Sequence, residues 1–140
     1  MTITPATDPV RGLNPPTLPD AGAVGYSQIT TVEPGRLAFV SGQVAWGSGG
    51  ERPPEGLEAQ TRQVVSNLRA ALEAVGAAPK DIAMLRCYMT DLRPETQDMV
   101  MPCLAELLQG AQPSLTGIGV AALATPDLQI EIEMVLRLPD

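Results

Sequence analysis

Leu128-Gln-Ile-Glu-Ile-Glu-Met-Val-Leu-Arg137 alternates with a period of two. Ile130, Ile132, Met134 and Leu136 fall on one side, and Gln129, Glu131, Glu133, Val135 and Arg137 on the other. Side chains of a strand alternate between the two faces of its sheet, so this run is a β-strand with one apolar face. Two adjacent carboxylates lie on its polar face. Whether they decorate solvent or line a cleft decides what the protein does.

Working outward, Thr125-Pro126-Asp127 turns into this strand from another at about 114–123, which Gln112-Pro113 opens. Before it, Met99, Cys103, Leu104, Leu107 and Leu108 mark a helix over 94–109, with Pro102 inside it to kink it or delay its start. Ile82–Leu92 reads as a strand. Leu57 to Val75 is the clearest helix, with Leu57, Thr61, Val64, Val65, Leu68, Leu72 and Val75 at 3-4 spacing and Gly76 as the stop. A stripe on one side only packs that helix on a sheet. Strands at 27–33 and 37–44, joined at Glu33-Pro34-Gly35-Arg36, read as a hairpin. Residues 1–22, with five prolines and no periodicity, read as an extended arm before a single domain at 23–140. The fold class is therefore α+β, in the order β-β-α-β-α-β-β, with a mixed sheet and both helices on one face. Nothing in the chain remains to cover the other face, which predicts self-association.

The 140 residues carry 16 acids against nine bases, a net charge of −7, and the basic stripe that binds nucleic acid is missing. No run approaches the roughly 20 apolar residues of a membrane span, and Met1–Gly22 does not read as a signal peptide, so a cytoplasmic location without membrane or nucleic-acid partners is expected. The absence of histidine removes Ser-His and Cys-His pairs and most zinc sites. Cys87 and Cys103 lack metal or redox spacing and read as small buried hydrophobes. No nucleotide-binding glycine motif is present, Gly117-Ile-Gly119 being a lone G-x-G. Neither a cofactor nor a metal is expected.

The order of elements, with Gly25-Tyr26-Ser-Gln28, Phe39-Val-Ser-Gly-Gln43, Gln60-Thr-Arg-Gln63, Asn67-Leu, Met89-Thr-Asp-Leu92 and Ile130-Glu-Ile-Glu133, resembles the Rid family of reactive-intermediate deaminases from about Val24 to Leu136. The family is also called YjgF or, misleadingly, L-PSP endoribonuclease. The resemblance implies a chorismate-mutase-like fold and a homotrimer whose sheets form a central barrel, with a ligand cleft at each subunit boundary. It also implies hydrolysis of enamines and imines to a 2-oxo acid and ammonia.

The same resemblance assigns the candidate site. The family's Pro-x-Arg-Ser arginine clamps the substrate carboxylate, a task suited to a planar guanidinium. Here Leu115 stands at that position, in Pro113-Ser-Leu-Thr-Gly117. Gly117 replaces the usual cysteine, Met101 falls where many members have an asparagine, and Thr116 keeps the hydroxyl of a serine. Tyr26, Ser41 and Gly42 are expected to line the cleft. Glu131 is expected to position or activate water, against the plainer reading of a solvated carboxylate or an intersubunit ion pair with Arg137 or Arg86. Arg36, Arg52 and Arg93 are the loop cations available to replace the missing clamp, and Trp46 walls the cleft or plugs the barrel rim. Two functions follow. One is hydrolysis of an imine, enamine or related small molecule that is not a standard 2-imino acid; the other is a non-catalytic trimer that binds a small metabolite.

Overall fold

In the computed structural model, residues 8–140 are described. The elements are β1 Val10–Leu13, β2 Ile29–Val32, β3 Leu37–Gln43, α1 Leu57–Ala74, β4 Ile82–Met89, α2 Pro94–Leu108, β5 Ser114–Gly119 and β6 Ile130–Arg137. The main sheet runs β3-β6-β4-β5. The period-two strand β6 lies inside it, antiparallel to both β3 and β4, while β4 and β5 are parallel. This is the expected mixed sheet.

Burial follows the alternation. Ile130, Ile132, Met134 and Leu136 of β6 are all buried, together with Leu85, Cys87 and Met89 of β4. Val64, Val65, Leu68 and Leu72 of α1 and Leu104 and Leu107 of α2 join the same core, and the two helices pack on each other and on one face of the sheet. Each such fully buried side chain stabilises the fold by roughly 1.5–3 kcal/mol. α2 begins at Pro94 and continues through Pro102, so that proline does not delay its start. Thr96 caps it, its hydroxyl accepting from the Arg93 N–H at 2.9 Å.

The hairpin expected over 27–44 does not form. β2 pairs with β1, from Val10↔Val32 to Leu13↔Ile29, and β3 pairs with β6. Arg137 occupies the turn between the two strands. Its guanidinium, 3% exposed, donates to the carbonyls of Glu33 (3.2 Å), Pro34 (2.7 Å) and Leu138 (2.6 Å). The 33–36 turn is thus wrapped around a side chain instead of closing a ladder. A Cβ at Gly35 would overlap the guanidinium, so only glycine fits there. The β1-β2 ribbon joins the sheet beside β5, through a Ser27–Ser114 bridge and through Thr30, whose hydroxyl donates to the Ala83 carbonyl at 2.9 Å. β1 lies within the segment read as an arm, whose first seven residues fall outside the described residues.

Two polar residues of the helix motif tie loops to this frame. The buried Gln60 amide donates to the carbonyls of Pro54 (3.1 Å) and Asp127 (2.7 Å) and accepts from the Gln129 N–H (2.8 Å). Asn67 donates to the carbonyls of Val44 (3.1 Å) and Trp46 (2.9 Å). Buried polar groups left unpaired cost about 1–3 kcal/mol each, so these bonds fix both loop paths. Among the described residues, no helix is long and apolar enough to cross a membrane.

Candidate functional site

A cleft of about 600 Å³ opens between β4–β5 and α2, with Tyr26 at one wall. That size suits a small molecule. Its position follows from the sheet. Leu115 and Gly117 of β5 stand in register with Leu85 and Cys87 of β4, on the helix-facing side. Because β5 is the edge strand, these two positions are only partly covered by α2 and look into the cleft. A Cβ on Gly117 would meet nothing within 4 Å, so the missing side chain leaves open space.

The lining is mostly apolar, from Met89, Leu92, Val100, Met101, Leu104 and Leu115. Polar groups come from Tyr26, Gln97 and Asp98. Among the lining residues Asp98 alone carries a formal charge, and no arginine or lysine is present. Cys87 also reaches the wall, but burial pushes its thiol up to about 12. It is protonated at neutral pH and is no nucleophile.

Within one chain, none of the three loop arginines lines this cleft. Arg93 is clamped by Asp91 at 2.8 and 2.9 Å and by Glu95 at 3.4 Å. Arg52 lines a separate open cavity with Trp46, Pro53 and Pro126, so neither Arg52 nor Trp46 reaches the Leu115 cleft of its own chain. Arg36 is exposed beside the 33–36 turn.

Within one chain the expected site residues fall into two groups. Tyr26, Leu115 and Gly117 share the cleft, whereas Ser41, Gly42, Thr116 and Glu131 do not line it. Ser41 and Gly42 lie where the β3–β6 register shifts, and the Glu131 carboxylate sits against Gly42 so closely that a Cβ there would displace it. Among the described residues Glu131 makes no side-chain hydrogen bond or ion pair. Thr116 is exposed opposite Arg86 on the same outer sheet face. Within one chain Arg86 pairs with the neighbouring Glu133. Glu133 accepts from the Tyr88 hydroxyl at 2.6 Å and from Arg86 at 3.1 Å.

That triad is a stabilising device with a testable pH signature. The Tyr88 hydrogen bond first, and then Arg86, hold the Glu133 carboxyl below its ordinary 4.5. A depressed carboxyl pKa contributes stability that is complete above 4.5 and is lost as pH falls through the lower folded value. Tyr88→Phe is therefore expected to lower stability most at neutral pH and above, and to approach wild type as pH falls below the folded value of Glu133, so that its acid limb is shallower in denaturant melts across pH. An unchanged acid limb removes Tyr88 from this role.

The residues that sequence reasoning missed are Gln97 and Asp98. Both are polar positions off the apolar stripe of α2, but they stand one turn before Met101, which falls where many members of the resembled family have an asparagine. Side chains three and four apart share a helix face, and that spacing was the available signal.

Comparison with known proteins agrees with this architecture. A family model described as Endoribonuclease L-PSP matches residues 18–137. A RutC family protein of Pyrococcus horikoshii is 30% identical over 111 residues, 79% of this chain and 84% of that protein. A crystal structure of a Rid-family protein of unknown function from Yersinia pestis, YyfB, is 36% identical and covers 93% of this chain and 99% of its own, with a TM-score of 0.86. RidA from an Antarctic Psychrobacter is 29% identical, covers 81% and 88% respectively, and superposes with a TM-score of 0.67. The chain belongs to the Rid/YjgF family, the family also described as endoribonuclease L-PSP.

Proposed function

We propose that this protein is a cytoplasmic homotrimer that hydrolyses an imine or enamine bearing no carboxylate beside its reactive carbon, releasing ammonia. The observation that carries the reading is Leu115, in a cleft whose lining includes no cation. A carboxylate entering there would lose its water without gaining a charged partner, which is unfavourable. Water adds to the imine carbon, and the resulting carbinolamine expels ammonia to leave a carbonyl compound. The water needs a base or an orienting acceptor. Glu131 is the residue assigned to it, reaching the cleft of a neighbouring subunit from its own outer sheet face.

Assembly is supported by that face. Phe39, 76% exposed, and Leu37 stand on it uncovered, beside the partly buried Val135 and Met84. Apolar surface of this kind gains by association. A second reading, a trimer that binds a small metabolite without turning it over, draws on Glu131 and the cleft lying on opposite sides of the sheet in one chain.

The test is ammonia release from a carboxylate-free imine freshly generated from an alkylamine, at a protein mass checked by light scattering. The expected mass is three times 14.7 kDa, and the expected rate lies well above buffer and falls in Glu131→Gln. A trimer that binds the matching ketone yet leaves the rate at the buffer value supports the binding protein instead.

A further inference from the structure

We propose that the Leu115 cleft selects a cation, an ammonium or protonated imine carried on an apolar body, with Asp98 as its counter-ion. This names the ligand charge for the site above and rests on the reading that the cleft refuses carboxylates. Three observations on different elements support it.

The first is the charge inventory of the cleft. Asp98 is its only formally charged lining residue, and among the described residues it makes no ion pair. The single cation near the start of α2, Arg93, is already bound by Asp91 and Glu95. Asp91, Glu95 and Asp98 against Arg93 leave this end of the helix net negative, within a chain of net charge −7. A concave apolar wall with one sign of charge at its edge concentrates the opposite sign.

The second is Pro102. It has no N–H, so the helical bond that residue 102 would have donated to the Asp98 carbonyl is missing. Asp98 thus offers a carboxylate and a main-chain carbonyl without its usual helical donor. Both accept hydrogen bonds, and an ammonium or iminium N–H donates them. The third is the floor. Gly117 leaves open space below Leu115, and Met89 and Met101 flank it with unbranched, polarisable side chains that adapt to an alkyl chain. Tyr26 adds a ring at the wall. Aromatic faces and thioethers tolerate a cation better than an anion.

The test uses three isosteric probes, pentylamine, pentan-1-ol and pentanoate, titrated into the full-length protein at pH 7 and followed by methionine-methyl NMR shifts. Wild type is expected to bind the amine about fivefold more tightly than the alcohol, the scale of one exposed charge pair, and the carboxylate most weakly. The gap narrows with added salt. Asp98→Asn, at an exposed helix position, is expected to fold normally and to bring the amine to the alcohol's affinity without changing that of the alcohol. Equal binding of amine and alcohol by wild type, or an amine preference that survives Asp98→Asn, overturns cation selection while leaving the refusal of carboxylates intact. Tightest binding of pentanoate overturns both. Binding of none of the three overturns the cleft as a ligand site. The expected order of affinities beside an inert imine assay supports the cation site and removes only the hydrolysis.

Discussion

Arg137→Ala is expected to cost about 2–4 kcal/mol of folding stability, because three carbonyls lose a charged donor at once. The side chain is almost fully buried at the end of β6 and bonds Glu33, Pro34 and Leu138, so it joins the 33–36 turn to the C-terminal residues. Its ion pair with Asp140 at 2.9 Å involves an exposed partner, and Asp140→Asn is expected to change little. Arg137→Lys should not rescue, since an ammonium on a flexible stem cannot reproduce the fork that spans several acceptors. Gly35→Ala tests the same contact from the other side. The guanidinium there is tied by its hydrogen bonds and cannot move aside for a methyl group. Denaturant midpoints of the four variants check the argument. Arg137→Ala or Gly35→Ala within about 0.5 kcal/mol of wild type, the ordinary range of surface changes, contradicts it.

The turn around Arg137 also marks where sequence reading stops. Both helices and β6 were legible because a single periodicity, 3.6 or 2, runs through each of them. Their common face was legible for the same reason, and the mixed sheet followed. The false hairpin came from treating Pro34-Gly35 as local turn chemistry. The residue that shapes that turn is 103 positions away and carries no signal near it. β1 was invisible because Val-Arg-Gly-Leu is too short to alternate and includes a glycine. At the site, Tyr26, Leu115 and Gly117 were reached through motif resemblance and do share a cleft. Asp98 was not, because a polar residue on a surface helix looks like solvated decoration until the cleft beside it is seen. Gln60 and Asn67 had stood out as motif fragments, and their hydrogen bonds explain why such residues suit a loop-pinning role.

The second large effect is expected at Leu115. Placing an arginine there sets two parallel donors on the cleft wall, and a charge-assisted bidentate contact is worth about 2–3 kcal/mol, on the order of a hundredfold. Gly117 leaves room for the longer side chain. Asp98 is the one lining group able to neutralise the new arginine, so Leu115→Arg combined with Asp98→Asn should gain more than Leu115→Arg alone. The fold should tolerate the change, because Leu115 is only partly buried on the edge strand.

The most direct measurement compares ammonia release from freshly generated 2-iminobutyrate and from its carboxylate-free counterpart, with wild type beside Leu115→Arg. Wild type is expected to favour the carboxylate-free imine, and Leu115→Arg to reverse that preference by raising the rate on 2-iminobutyrate. Wild-type hydrolysis of 2-iminobutyrate faster than of its counterpart, unchanged in Leu115→Arg, would contradict the claim that Leu115 sets what this cleft accepts.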